Sequence, residues 1–344
     1  MPRFTTLSAE SSPQLLFLSE AQVAELITIH QVMPLVEEAF IADGKSLIET
    51  FPVISYGIPS ASGGWVIKSG AIRATENSTK PMVLGLKVGA YWAHNEASGL
   101  QNHNATIMLV DADTGLVSTI LGANVITSLR TAAAGAVSSK WLAKPNPKRI
   151  AIIGAGDQAR AQLAAHLCMF PSLTELTMWN RNESRAIRFA ADWAGQGPGI
   201  HVSPTVEDAV KMADIIVTST PSKRALVFNG WIKPGAHICA VGSDAPGKQE
   251  IETRLVMECS VFVDKRSQTA TIGEMQHPLQ EGLATMDHVK AELSEVCAGA
   301  RPGRQSDNEI TLFDSSGVSF QDLIVAEHVR KQAIVHSLGS TLNR

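Results

Sequence analysis

Gly154, Gly156 and Ala159 stand in the order Gly-x-Gly-x-x-Ala directly after the apolar run Ile150 to Ile153. That spacing suits a dinucleotide. The first glycine allows a tight turn, the second lets backbone approach a pyrophosphate with no Cβ in the way, and the alanine keeps the next helix close to the strand. Asp157 and Gln158 then open that helix, where free N–H groups favour phosphate. An ordinary βα turn has similar glycines, but a convincing strand before and helix after select the nucleotide-binding reading. The second strand ends at Trp179-Asn180-Arg181, where an acid commonly accepts the ribose hydroxyls of NAD, and that acid is absent. Asn180 can hydrogen-bond ribose. Arg181 and Arg185 either meet a 2′-phosphate through charge-assisted forks or stand solvated at a helix start. The balance tips the cofactor, NAD(P)H, toward NADPH.

A further candidate lies in Gly242-Ser243-Asp244-Ala245-Pro246-Gly247-Lys248, after the strand-like run His237 to Val241. Ligands of open α/β sheets bind beyond the carboxyl ends of the strands, which puts Asp244 in the crevice beside a nicotinamide. An aspartate there is equally well a helix N-cap.

The elements that position these residues follow from pattern. Ser19 with Gln22 forms a capping box, and Val32, Leu35, Val36, Ala39 and Phe40 recur at helical spacing, so the chain is expected to open with helices. Short apolar runs at Trp65 to Ile67, Val83 to Val88, Thr106 to Val110 and Val117 to Leu121 read as a sheet. A helix from about Thr127 to Leu142 ends at Pro145 and Pro147. Strands at Arg149 to Ile153, Glu175 to Trp179, Ala213 to Ser219 and His237 to Val241 then alternate with helices near Gln158 to Met169 and Ser184 to Ala194. Alternation of this kind implies parallel βαβ units. The helical stretch Phe320 to Leu338 lies past the alternation and is assigned back to the first domain. The fold class is α/β: a Rossmann-type dinucleotide domain over residues 146–317, plus a discontinuous α+β substrate and dimerisation domain over 1–145 and 318–344.

Composition narrows the partners. A chain of 344 residues exceeds the usual span of one core, and 29 basic against 33 acidic residues give no field to recruit nucleic acid or an anionic membrane. Small molecules or copies of itself are expected. Cys168, Cys239, Cys259 and Cys297 form no Cys-x-x-Cys pair, which implies a reduced, cytoplasmic setting without structural zinc. The N-terminus lacks the order of a signal peptide, and no apolar run approaches the roughly 20 residues that cross a bilayer. Of ten histidines only His94 and His103 draw notice, because they flank a polar segment between strand-like runs.

The sequence resembles the ornithine cyclodeaminase and mu-crystallin family across nearly its whole length. Matching stretches are Leu84-Gly85-Leu86-Lys87, Leu129-Arg130-Thr131-Ala132-Ala133, the glycine turn with Gln158, Gly242 to Lys248, and Gly303-Arg304-Gln305-Ser306-Asp307 with Thr311 to Ser315. Gly89 to Asn95, Ile272 to His277 and Phe313 to Gly317 look most like its iminosuccinate-reducing branch. The resemblance implies a homodimer, with a substrate lysine at Lys87, a carboxylate-binding arginine at Arg130 and a catalytic aspartate at Asp244. It implies cofactor contacts at Gln158, Asn180, Thr220, Val241, Lys248 and Ser315. One position where related members carry a substrate-binding arginine holds Ser55, so Lys68 or Arg73 is expected to supply that charge.

Chemistry agrees with these roles. An imine accepts hydride well when its nitrogen is protonated, so an acid such as Asp244 or Lys87 is needed near the C=N bond. Arg130 and Lys68 can hold carboxylates. Lys87 sits inside the apolar run Met82 to Val88, where a lysine needs a partner or a cavity, while Arg130 has a structural ion pair as its competing role. Three functions fit: reduction of a carboxylated imine (iminosuccinate, or a cyclic ketimine such as pyrroline-2-carboxylate) to an L-amino acid, an NAD-dependent cyclodeaminase acting on ornithine or lysine, or a non-catalytic small-molecule binder.

Overall fold

The computed structural model describes residues 14–73 and 82–343, so the reading of the extreme N-terminus lies outside the described residues. By compactness the chain forms two units. One comprises the chain up to Thr28, Leu47–Thr127 and Asp322–Arg344; the other comprises Ile29–Ser46 and Ser128–Gln321. These boundaries do not coincide with residues 145 and 318. They fall inside the helices Asn124–Leu142 and Ser319–Val335.

The first unit is a mostly antiparallel sheet. Its strands are β1 (Gln14–Leu18), β2 (Ile48–Thr50), β3 (Ile54–Ile58), β4 (Gly63–Ile72), β5 (Val83–Trp92), β6 (His103–Val110) and β7 (Val117–Gly122). The order runs Ser340–Asn343, β1, β7, β6, β5, β4, β2, with β3 also paired to β4. Helix α1 (Glu20–Leu26) starts at the expected capping box of Ser19 and Gln22. The described chain nevertheless opens with a strand, not a helix, because Leu16 to Leu18 pair with Thr119 to Leu121 of β7. Ile107 and Leu121 of the sheet are fully buried, as are Val325, Ala326, Val329 and Ala333 of the C-terminal helix, residues at the three- and four-residue spacing of one helical stripe. A Cβ on Gly85 of β5 would stand 2.9 Å from the Leu323 side chain of that helix.

The second unit is a doubly wound parallel sheet. It contains β8 (Arg149–Ile153), β9 (Glu175–Trp179), β10 (Ile200–Val202), β11 (Ile215–Thr218), β13 (His237–Ala240), β15 (Ser260–Val263), β16 (Val289–Glu292) and β17 (Thr311–Asp314). The short β12 (Lys223–Val227) and β14 (Gln249–Ile251) pair separately. The order β10-β9-β8-β11-β13-β17-β15-β16 begins as the Rossmann order 3-2-1-4-5, and its direction reverses between β8 and β11. β8 and β9 fall at the expected bounds. The alternation does not end at β13, since β15, β16 and β17 extend the sheet. Helix α2 (Ile29–Gly44) belongs with this unit through Phe40, whose ring meets that of Phe320 edge-on at 5.4 Å. Helix α3 (Asn124–Leu142) contributes Ser138 and Ser139, which contact the buried rings of His237 and His166.

Candidate active site

The switch point of the second sheet is built by β8, the glycine turn and helix α4 (Asp157–Met169). Gly154 has φ +119°, and a Cβ there would stand 2.8 Å from the Ser219 carbonyl oxygen, so only glycine fits. Gly156 differs: a Cβ on it would meet nothing within 4 Å. That open side faces the start of α4, which no side chain caps. The first-turn N–H groups at Asp157 and Gln158 lack intrahelical acceptors by helix geometry, so the turn fits a pyrophosphate. Gln158 reaches the Ser128 carbonyl at 3.5 Å. At the end of β9, the Asn180 amide donates to the Asn182 carbonyl at 2.9 Å, and Asn182 caps helix α5 (Glu183–Trp193). Arg181 and Arg185 are exposed there.

The loop after β13 is pinned from several sides. Ser243 Oγ, Gln276 Nε2 and the His277 ring all bond the Lys248 carbonyl, at 2.8, 3.2 and 2.8 Å, and Gly247 N–H donates to Gln276 Oε1. Asp244 begins no helix, which removes the capping role. Its carboxylate, 47% exposed, receives Lys248 Nζ at 2.5 Å. Val241 is buried at the strand end, and Thr220 N–H donates to Glu250 Oε1 at 2.6 Å. Ser315 is buried as well, with its hydroxyl 3.3 Å from Asp264. Its place is inside the protein scaffold.

In the first unit, Lys68 on β4 and Lys87 on β5 are direct cross-strand partners. Opposed residues share a face, so two ammonium groups lie together on the buried side of the sheet. Lys87 is mid-strand and 4% exposed, which excludes a strand-end lysine in solvent. Its Nζ pairs with Asp322 Oδ1 at 2.8 Å and Thr127 Oγ1 at 3.3 Å. Arg73 does not join them. It stands five residues beyond Lys68, on the other side of the pleat, in an exposed ion pair with Glu49. Ser55 is exposed on β3 opposite Val66. His103 packs on Tyr91, with ring centroids 4.8 Å apart, and His94 is exposed. Among the described residues, no group of three or more His, Cys, Asp or Glu is arranged for a metal, and no helix is long and apolar enough to cross a membrane. Arg130, in the second unit, is buried and donates to Gln321 Oε1 at 2.8 Å, a neutral amide.

The model of the ornithine cyclodeaminase/mu-crystallin family matches residues 14–336. The chain belongs to this family. It is 37% identical over 317 residues to the iminosuccinate reductase of Paracoccus denitrificans, covering 92% of this chain and 95% of that protein. The structure of that reductase in complex with NAD+ superposes with a TM-score of 0.85 at 35% identity, covering 96% and 100% of the two chains. An archaeal alanine dehydrogenase dimer with bound NAD gives a TM-score of 0.90 at 32% identity, covering 96% and 99%. The Delta(1)-pyrroline-2-carboxylate reductase of Thermococcus litoralis, in complex with NADH and L-proline, gives 0.88 at 29%, covering 94% and 99%.

Within this family chain, pattern reading missed Asp322 and Glu250, which hold Lys87 and the strand ends. Asp322 lies 235 residues from Lys87, and nothing local marks the pairing. Glu250 stands two residues past the Gly242 to Lys248 stretch, but only the folded chain shows what it bonds.

Proposed function

We propose that this chain reduces a small carboxylated imine to an L-amino acid with NAD(P)H, with iminosuccinate to aspartate the leading case. It is an oxidoreductase of C=N and CH–NH bonds, as its close relatives are. The observation that carries the substrate reading is the Lys68–Lys87 register pair beside Asp322, because a buried face lined by two lysines favours a carboxylate over a neutral ligand. A reduced nicotinamide supplies the hydride when bound. Gly154, Gly156, Asp157, Gln158, Asn180, Thr220, Val241 and Lys248 would hold the dinucleotide, with Ser315 supporting it from within. Lys68 and Arg130 hold carboxylates, while Lys87 or Asp244 gives the proton that the imine nitrogen gains as its π electrons leave the carbon.

Arg181 and Arg185, with no acid at Asn180, support acceptance of NADPH; the solved relatives carry NAD+ or NADH. A homodimer is supported by Ile54, Tyr56, Trp65, Ile67, Leu86 and Met108, an apolar set on the outer face of the first sheet that is exposed or only half-buried in one chain. Sedimentation at the protomer mass contradicts it. The cysteine usage supports a cytoplasmic place. The test is a panel of iminosuccinate, pyrroline-2-carboxylate and piperideine-2-carboxylate with NADH and NADPH. Oxidation of either cofactor with at least one imine is expected. Silence across the panel with folded protein, or ammonia release from ornithine or lysine without net nicotinamide change, overturns the proposal.

A further inference from the structure

The carboxyl edge of the second sheet contains four fully buried acidic side chains that the chemistry above leaves unused: Glu250, Asp264, Glu274 and Asp314. Each accepts bonds from N–H or hydroxyl donors. Asp264 takes Ser316 Oγ at 2.7 Å and Gly317 N–H at 2.5 Å, while Asp314 takes the N–H groups of Glu274 and Met275 and the Thr269 hydroxyl. Glu274 takes the N–H groups of Glu250 and Ile251 at 2.9 and 3.1 Å. Glu250 is different in what it joins. Its Oε1 accepts Thr220 N–H at 2.6 Å, and its Oε2 accepts Thr218 Oγ1 and Gly242 N–H, both at 2.8 Å. Those donors sit at the carboxyl ends of β11 and β13, adjacent strands beside the switch point.

The neighbouring motif is shaped around this carboxylate. A Cβ on Gly242 would run into the Thr220 carbonyl oxygen and stand 2.5 Å from the Glu250 carboxyl carbon, so the first residue of Gly242 to Lys248 is glycine because Thr220 and Glu250 together occupy the space. We propose that Glu250 is a positioning residue for the dinucleotide site: its carboxylate clamps the ends of β11 and β13 and so fixes Thr220 and the Gly242–Lys248 loop. The inference rests on the dinucleotide reading of the switch point. A carboxylate is required because each oxygen faces a backbone N–H. An amide has one oxygen, so either orientation of glutamine sets an NH2 against an N–H donor.

The experiment titrates NADH into the ligand-free full chain by fluorescence, with KM and kcat measured in parallel. Glu250→Gln is expected to raise the NADH Kd and KM at least ~10-fold, the loss of a hydrogen bond to a charged group, with the imine KM within about twofold. Thr218→Val and Thr269→Val form a matched pair, each deleting one buried hydroxyl that donates to a buried carboxylate. Only Thr218→Val is expected to weaken NADH binding, and it keeps the test open should Glu250→Gln fail to fold. Equal effects of the two threonine variants on Kd, or a folded Glu250→Gln within twofold of wild type, overturn the clamp. A wild-type chain that binds no nicotinamide nucleotide instead removes the site itself, and the clamp with it.

Discussion

Lys87 shows how far a single residue can be read from its neighbours. A lysine in the apolar run Met82 to Val88 had to meet an anion or a cavity, and the structure supplies Asp322 at 2.8 Å. The identity of that anion is not legible locally, because strand and helix are brought together only by the fold. Arg73 was legible as a charge but not as a surface one, since the five-residue offset turns it from Lys68 only once β4 is known to run unbroken over Gly63–Ile72. The buried pair makes a two-part prediction. Lys87→Met strips Asp322 of the ammonium it faces and should cost about 3–5 kcal/mol in denaturant unfolding. Adding Asp322→Leu should recover part of that stability while turnover stays at least ~100-fold down. Recovery of turnover together with stability would make Lys87 a structural residue alone.

Among elements, the β8–turn–α4 unit was readable because a complete local pattern defines it. β15 to β17 were missed although Ser260–Val263 and Thr311–Asp314 are buried, because four-residue apolar runs carry no periodicity that separates strand from helix. The last strand, Ser340–Asn343, is exposed along its length and is held by backbone pairing to β1, which composition cannot announce. The two glycines of the turn should separate folding from binding. Gly154→Ala places a side chain at φ +119° against Ser219 and should destabilise the chain by about 1–3 kcal/mol. Gly156→Ala, at φ −95° with open space around it, should change stability by less than about 1 kcal/mol yet weaken NADH ~10-fold. Denaturant unfolding and NADH titration of both variants check the contrast, and a Gly156→Ala protein with unchanged affinity removes the pyrophosphate from the turn.

For the molecule as a whole, compactness divides the chain at bounds that composition does not indicate: α2 goes with the parallel-sheet unit, and its Phe40 ring meets Phe320 at the start of the C-terminal helix. Buried titrating groups give that unit a pH response. Burial lowers His166 from 6.5 to about 4, with one ring nitrogen at the Gln162 carbonyl and the other at Ser139. The unfolded chain therefore takes up this proton first as pH falls. The contribution is full above 6.5 and is lost through pH 4, a change of about 3 kcal/mol. His237, also lowered by burial, acts in the same direction. Asp314, raised by burial to about 6, acts in the opposite one, losing stability as pH rises from 3.8. The difference between wild type and His166→Gln isolates the histidine: the variant should lose less stability than wild type between pH 7 and 4 in thermal melts. Parallel curves would contradict a neutral, buried His166.

The proposed reaction turns on hydride transfer from nicotinamide to the carbon of a carboxylated imine. Its most direct measurement uses nicotinamide coenzyme carrying deuterium at C4 on either face, with oxaloacetate and ammonium as the source of iminosuccinate, and NMR of the amino acid formed. L-aspartate deuterated at Cα from one face only is expected. Aspartate without the label, or no aspartate while the protein remains folded and binds the coenzyme, would contradict it.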